Sequence, residues 1–279
     1  STKSFLVIYL FIFVVGFITK ALFKPISCKC PISWNKVVSQ LLSDENECMK
    51  KRKKVVVTST FAIYPPQGGG QARTFSLYKN LAQKYDVTIV SFDSVEGKKS
   101  KREVAPGLIE VRIPKSMLHH QKEAELAGRA EFVVTDIAMI SLAKLTPDYR
   151  EALAAEIKES DVVILSHPYL YPEVSPFLSN QKIIYEAQDI EYLIKKEMLP
   201  DTVVKNQLLD EIREVELNCC TKSEFIMTCS QEDKEKLTAL YNLSQDKVIV
   251  VPNGVDCSAT KFTSIEERIQ NKRRLGLEK

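Results

Sequence analysis

The fold is decided by residues 55–83, whose sequence is VVVTSTFAIYPPQGGGQARTFSLYKNLAQ. The opening VVVTST is a short β-branched run, which is typical of a strand buried on both faces. Three glycines, Gly68 to Gly70, follow two prolines, and apolar residues then recur at helical spacing. The stretch therefore predicts a strand, a glycine loop and a helix, which together form the first half of a βαβ unit.

The glycine loop has two interpretations. Glycines at this place let the backbone approach a ligand closely, and a helix start offers N–H groups to an anion. A tight turn that binds nothing has the same pattern. The loop is neither the G-x-G-x-x-G of dinucleotide-binding proteins nor a Walker loop, because no Lys-Ser/Thr pair follows the glycines. The loop alone therefore does not identify a ligand.

Charge is distributed unevenly along the 279 residues. Residues 1–54 contain ten Lys/Arg and three Asp/Glu, a net charge of +7, so the rest of the chain has 29 basic and 33 acidic residues, a net of −4. A nucleic-acid binder should have its positive charge on the folded surface. We therefore expect no nucleic-acid partner.

The basic N-terminal arm also contains a hydrophobic run. Residues 5–19, FLVIYLFIFVVGFIT, have no charge, and residues 21–23 extend the run beyond Lys20. A run of about 20 residues suffices to cross a bilayer. A signal peptide is the alternative, but no small-residue cleavage site follows the run. Most of the basic residues come after it, including KKRKK at 50–54, which predicts a single-pass membrane anchor with the body on the cytoplasmic side.

The seven cysteines show no pattern of a disulfide framework, and no C-x-x-C pair is present. An odd number without pattern suits a reducing compartment, and a zinc site is not expected. Cys229, inside the apolar run FIMTC, is predicted to be a small core residue.

Beyond the glycine loop, strand and helix patterns alternate. Helices are predicted at about 129–144, 148–160 and 203–221, and another begins after Ser230, whose side chain caps it with Asp233 at the third position. Residues 96–102 predict a charged, mobile turn, and residues 116–128, with His119 and His120, a solvated loop facing a cleft. The alternation predicts an α/β fold with a doubly wound parallel sheet of the Rossmann type. The further strands are predicted at 86–92, 108–114, 161–166, 182–187, 224–229 and 247–251.

Polar residues follow several predicted strands at the point where each strand ends. They include His167 after the fourth strand, residues 186–191 after the fifth, and Asn253 and Asp256 after the seventh. Ligands of such sheets bind beyond the carboxyl ends of the strands. A single residue of this kind would be a structural cap, but four clusters on one edge, counting the glycine loop, indicate a cleft.

Several of these segments resemble the N-terminal domain of family-4 glycosyltransferases, which have the GT-B fold. The resemblance covers about Val55 to Asp256 and is carried by PPQGGGQARTFSLYKNLAQKYDVTIVS, DVVILSHPYLYP, KIIYEAQDIEYL and EFIMTCSQEDKEKLTALYNLSQDKVIVVPNGVD. The last segment is similar to the family's pattern of strand, serine, helix, strand and Pro-Asn-Gly-x-Asp, and is the most specific of the four.

The resemblance implies transfer of a sugar from a nucleotide-sugar donor with retention of configuration, without a cofactor or an obligatory metal. It implies that His167 contacts the transferred sugar and stabilises the positive charge developing at the anomeric carbon. A polar residue that merely ends a strand is the alternative for His167, and helix caps are the alternative for the carboxylates. The implied donor-side residues are Gly68, Gly69, Gly70 and Asn253, and the implied acceptor-side residues are Arg73, Tyr169, Glu186, Asp189 and Glu191.

These inferences divide the chain into a transmembrane anchor (1–24), a basic linker (25–54), the glycosyltransferase N-terminal domain (55–256) and the start of an interdomain segment (257–279). The tail SIEERIQNKRRLGLEK is helix-like, and in the family it leads into a second domain that holds most of the donor. We therefore expect that the chain alone is not competent for transfer.

Three functions remain open. The first is the acceptor-side half of a membrane-anchored glycosyltransferase, acting on a sugar, lipid or protein acceptor. The second is a catalytically inactive, membrane-tethered binding module of the same fold. The third is a dinucleotide-dependent oxidoreductase, against which the missing G-x-G-x-x-G counts.

Overall fold

The computed structural model describes residues 52–254 and 263–277. They divide at Pro252 into two compact units, a body that ends there and a C-terminal segment that starts at Asn253. The strands of the body are β1 (Lys54–Ser59), β2 (Asp86–Asp93), β3 (Ser100–Ala105), β4 (Leu108–Pro114), β5 (Val162–Leu165), β6 (Lys182–Ala187), β7 (Phe225–Thr228) and β8 (Val248–Val250).

Helices follow β1, β4, β5, β6 and β7, with short 3-10 segments next to some of them. Those of the body are α1 (Gly69–Leu81), α2 (Met117–Ala130), α3 (Thr135–Leu142), α4 (Pro147–Lys158), α5 (Tyr171–Val174), α6 (Glu191–Met198), α7 (Lys205–Lys222) and α8 (Gln231–Tyr241). The C-terminal segment contains α9 (Ile265–Arg274), which confirms the predicted helical tail. A capping box formed by Ser264 and Glu267 starts this helix.

The strands of the body form one sheet in the order β3-β4-β2-β1-β5-β6-β7-β8. Every neighbouring pair is parallel except β3 and β4, which are antiparallel. The chain runs outward from β1 towards β4, then returns to place β5 on the other side of β1. This reversal between β1 and β5 is the topological switch point of a doubly wound sheet. The predicted fold class is thus confirmed, with one antiparallel edge strand added.

Both faces of the sheet are buried. Along β1, Val56 packs into one hydrophobic cluster, whereas Val55 and Val57 pack into another. Successive side chains of a strand point to opposite faces, so the two clusters lie on the two sides of the sheet. This double burial explains why VVVTST has no alternation of apolar and polar residues.

Three segments differ from the sequence-based predictions. The helix predicted at about 129–144 is interrupted, because Glu131, with a φ of +50°, ends α2 and α3 begins only at Thr135. The predicted turn at 96–102 overlaps β3, an edge strand whose exposed charged residues Lys101, Arg102 and Glu103 are of the kind that protects a sheet edge. The predicted loop at 116–128 is helix α2, capped by Ser116, whose Oγ accepts a hydrogen bond from the His119 amide. His119 lies on the buried face of that helix, where a polar residue interrupted the apolar spacing.

Other local predictions are confirmed. Strands β4 and β6 occupy the predicted residues, and the Ser230 hydroxyl accepts a hydrogen bond of 3.0 Å from the Asp233 amide at the start of α8. The prediction that Cys229 is a small core residue is wrong: it follows the last residue of β7, Thr228, and is only partly buried.

The hydrophobic run at 5–23 lies outside the described residues. Within the parts of the chain that the structure describes, no helix is both long enough and apolar enough to cross a membrane.

Candidate functional site

The switch point brings the glycine loop and His167 to the same edge of the sheet. β1 and β5 are neighbours, with Thr58 opposite Leu165. The chain then leaves β1 towards the glycine loop and leaves β5 through Ser166 into His167. Because both strands are parallel, both exits lie at the carboxyl edge, where doubly wound sheets bind ligands.

The glycine loop is held in place by the side chain of Gln71. Its Oε1 accepts hydrogen bonds from the amides of Gln67 (2.8 Å) and Gly68 (2.9 Å), and its Nε2 donates to the carbonyl of Ala62 (2.7 Å). The backbone hydrogen bonds of the helix begin with the amide of Ala72, which donates to the Gly68 carbonyl. The amides of Gly69 and Gly70 precede it, at the positive end of the helix dipole.

The three glycines differ in the space available for a side chain. A Cβ on Gly69 would meet nothing within 4 Å, whereas a Cβ on Gly70 would lie 3.1 Å from Gln188 Oε1 and 3.4 Å from the ring of Phe61. Packing therefore restricts the residue at position 70 but not at 69. Gly68 is the N-cap of α1 and has an extended backbone.

A buried carboxylate anchors the segment between β1 and the glycines. Glu110 on β4 accepts a hydrogen bond of 2.6 Å from the Ile63 amide. Its other oxygen accepts two hydrogen bonds from the guanidinium of Arg112, at 2.8 and 2.9 Å. The sheet thus fixes the path of the loop through Glu110, whose contacts no local sequence pattern predicted.

His167 combines a strained backbone with an enclosed ring. Its φ angle is +143°, in the region that non-glycine residues rarely adopt. The ring lies edge-on to Phe61, with centroids 5.6 Å apart, and stacks on Tyr169. Among the described residues, its buried Nδ1 has no hydrogen-bond partner. Backbone strain of this kind costs roughly 1–3 kcal/mol and is concentrated at functional sites.

Glu191 lies next to this ring. Its Oε1 is 4.0 Å from His167 Nε2, and its Oε2 accepts a hydrogen bond from the Tyr169 hydroxyl. Burial raises the pKa of Glu191 above its usual range, and the neighbouring His167 and the Tyr169 hydroxyl oppose that rise. Burial, followed by the charge of Glu191, raises the pKa of Tyr169. The structure therefore brings together His167, Tyr169 and Glu191.

A second buried carboxylate holds Glu191 in position. Glu216 on α7 accepts hydrogen bonds from the amides of Glu191 (2.8 Å) and Tyr192 (3.1 Å) at the start of α6. It also accepts from the hydroxyls of Tyr185 (3.1 Å) and Tyr241 (2.7 Å). Burial raises the pKa of Glu216 to about 7, although the hydrogen bonds from the Tyr241 hydroxyl and from the two amides oppose the rise. The position of Glu216 in the apolar stripe of α7 was the available sequence signal.

Arg73 and Glu186 bind each other on the other side of the switch point. Arg73 Nε lies 2.9 Å from Glu186 Oε1, and Glu186 Oε2 accepts a hydrogen bond of 2.6 Å from the Tyr78 hydroxyl. Glu186 is completely buried. This ion pair ties α1 to the end of β6.

The remaining predicted site residues are exposed. Asp189 follows β6, and Asn253 is the first residue of the C-terminal segment. The roles of all these residues in donor or acceptor binding stay predictions.

Two further polar residues at this edge were not among the predicted site residues, although Gln188 lies within the predicted polar cluster at 186–191. Asp136, at the start of α3, accepts a hydrogen bond of 2.6 Å from the Thr60 hydroxyl just after β1. Gln188 donates to Thr74 on α1 and to Ser166 next to His167. Both link residues far apart in sequence, so neither is marked by local spacing.

Comparisons with known proteins identify the fold of the body. No family model matches the sequence, and no curated protein matches it. The sucrose-phosphate synthase of Thermosynechococcus elongatus has a similar structure, with a TM-score of 0.53 and 11% identity, over 81% of this chain and 53% of that one. The body has the fold of a GT-B glycosyltransferase domain.

Other solved structures are similar at lower scores. HepE of Anabaena, in complex with UDP and glucose, has a TM-score of 0.49 and 13% identity over 81% of this chain and 50% of that one. An α,α-trehalose-phosphate synthase (UDP-forming) of Burkholderia vietnamiensis has a TM-score of 0.48 and 12% identity over 82% and 53%. This chain thus spans about half the length of these proteins.

Proposed function

We propose that this protein is the acceptor-side part of a glycosyltransferase that transfers a sugar from a nucleotide-sugar donor with retention of configuration. The GT-B fold and the segments that resemble family 4 support this proposal. The observation that carries it is the placement of the glycine loop and His167 on either side of the switch point.

The chemistry of the two groups is complementary. The amides of Gly69 and Gly70 start a helix and suit the phosphates of the donor. His167 stands at the end of the neighbouring strand, where its imidazole can hydrogen-bond the transferred sugar and stabilise charge at the anomeric carbon. On the acceptor side, Glu191 offers a carboxylate oxygen for a sugar hydroxyl, and Asp189 is open to solvent. No step in this arrangement calls for a metal or a cofactor.

The whole protein is proposed to be a single-pass membrane protein with its body in the cytoplasm. The uncharged run at 5–19 and the basic residues after it support this orientation. A second nucleotide-binding domain is proposed to complete the donor site, in line with the half of each similar protein that this chain spans.

Turnover by His167 variants tests the proposal. In the enzyme that includes the second domain, His167→Ala should lower the rate about a hundredfold, the typical cost of one preorganised donor in the transition state. His120→Ala is the matched control, because His120 is exposed on α2. Normal turnover with a lowered melting temperature would instead make His167 a residue that only ends its strand.

The inactive binding module of the same fold predicts a different result. It would bind UDP or an acceptor but transfer no sugar, even with a second domain present. Transfer of sugar from any nucleotide-sugar by the complete protein therefore excludes the module.

A further inference from the structure

Gln188 spans the switch point. It follows β6 directly, and its side-chain Nε2 donates to Thr74 Oγ1 on α1 (3.1 Å) and to Ser166 Oγ after β5 (3.0 Å). Thr74 and Ser166 are both buried. One amide group thus joins the helix of the glycine loop to the residue that precedes His167.

The other end of the same amide faces the glycine loop. Gln188 Oε1 lies 3.1 Å from the place where a Cβ of Gly70 would stand. The Gln188 side chain therefore occupies the space beside Gly70, and any larger residue at position 70 would displace the amide or move the loop. A single side chain consequently contacts the loop, its helix and the end of β5.

His167 depends on such support. Its backbone at φ +143° is strained, and strain of this kind persists only where the surroundings hold it. The hydroxyl of the preceding Ser166 is held by Gln188. The hydrogen bond therefore ties the position of the His167 ring to that of the glycine loop.

We infer that Gln188 is a positioning residue that fixes the distance between the amides of the glycine loop and the ring of His167. This inference rests on the proposed function, in which the amides face the donor phosphates and the ring faces the sugar. With that distance fixed, the two groups act on one ligand without a cost in conformational entropy when it binds.

The chemistry of an amide suits this place. An apolar side chain would leave two buried hydroxyls without this partner, at a cost in stability. A carboxylate has the same shape and accepts from both hydroxyls, but it would put a negative charge against a loop that faces an anion. Glutamine hydrogen-bonds both hydroxyls and places no charge beside the loop, because its side chain is polar and neutral.

Amide hydrogen exchange tests the mechanical part of the inference. Gln188→Met keeps the length of the side chain and removes its hydrogen bonds. We expect faster exchange in residues 69–74 and in 166–167, together with a shift of the His167 ring Hε1 resonance. Gln181→Met is the matched control: Gln181 precedes the opposite end of β6 and donates to the Ile157 carbonyl at 3.1 Å, so its loss should affect only that end.

Rescue by a carboxylate separates positioning from general stability. Gln188→Glu should restore slow exchange in both segments, because the hydroxyls of Thr74 and Ser166 can donate to it. In the protein that includes the second domain, the same variant should bind UDP about tenfold more weakly than the wild type in calorimetry, since its charge lies beside Gly70. A merely structural role predicts equal UDP binding by the wild type and Gln188→Glu.

The exchange experiment tests the positioning role of Gln188, and the UDP titration tests its role in ligand binding. Exchange in Gln188→Met that changes only next to residue 188 would overturn the positioning role, whether or not UDP binds. Equal UDP affinity of the wild type and Gln188→Glu would overturn the role in ligand binding. Failure of the wild type to bind UDP with the second domain present would count against the proposed function, while the exchange pattern would still decide whether Gln188 couples the loop to His167.

Discussion

Arg73 and Glu186 form an ion pair inside the protein. Arg73 Nε lies 2.9 Å from Glu186 Oε1, and the two side chains are 7% and 0% exposed. The residues are 113 positions apart in sequence, so the pair fastens α1 to β6 across the switch point. A surface pair such as Lys182 and Glu224, with side chains 41% and 38% exposed, contributes much less to stability.

Removing one partner of this pair should strongly destabilise the fold. We expect Glu186→Leu to lower the free energy of unfolding by roughly 3–5 kcal/mol, because a buried guanidinium loses its counter-charge. The double variant Arg73→Met with Glu186→Leu should recover part of that loss. Urea denaturation measures both, with Glu224→Ala as the control, expected to cost less than about 1 kcal/mol. A loss at Glu186 as small as that at Glu224 would contradict the prediction.

Glu216 should make the protein more stable as the pH falls towards 5. Its pKa is raised from 4.5 to about 7 by burial, so between these values the folded state holds a proton that the unfolded chain lacks. The contribution, on the order of 3 kcal/mol, is full below about pH 4.5 and is lost as pH rises through about 7. We expect Glu216→Gln to remove this dependence. The measurement is the difference in unfolding free energy between wild type and variant at several pH values, and a constant difference would contradict it.

His119 should make the protein less stable as the pH falls, the opposite of the effect of Glu216. Burial, helped by the charge of Lys115 and opposed by Glu123, lowers the pKa of His119 from 6.5 to about 4. Between these pH values the unfolded chain binds a proton that the folded protein does not bind. The free energy of unfolding therefore falls by about 3 kcal/mol as pH falls from about 6.5 to 4. His119→Gln should remove this loss, whereas His120→Gln, at an exposed position, should leave it intact. Equal acid sensitivity of all three proteins would show that His119 is not responsible.

Two glycine variants separate the function of the loop from its packing. Gly69→Ala places a Cβ in open space, so we expect unchanged or slightly higher stability but weaker UDP binding, because the methyl group stands where phosphates would approach. Gly70→Ala brings its Cβ to 3.1 Å from Gln188 Oε1 and should lower the melting temperature as well. Thermal melts and UDP titrations on the same samples, prepared with the second domain present, measure both effects. A turn that binds nothing predicts that Gly69→Ala changes neither.

Much of the secondary structure was predictable from the sequence because its signals are local. β-branched runs marked β1, β4 and β6 within a residue or two, and the serine before α8 marked its start. The signals failed where a polar residue took a core position, as His119 did in α2, and where charged residues formed the edge strand β3. In both cases contacts between distant segments outweighed the local pattern.

The succession of strands and helices can be read from local sequence patterns, and with it the placement of the glycine loop and His167 at strand ends. The tertiary structure alone decided that β5 lies beside β1, which makes those two ends neighbours. It also decided the partners of the buried polar groups: Arg73 with Glu186, Tyr169 with Glu191, and Gln188 with Thr74 and Ser166. Backbone periodicity repeats within a few residues and is therefore visible in the sequence. Contacts between side chains depend on the order in which the strands assemble, and no local pattern records that order.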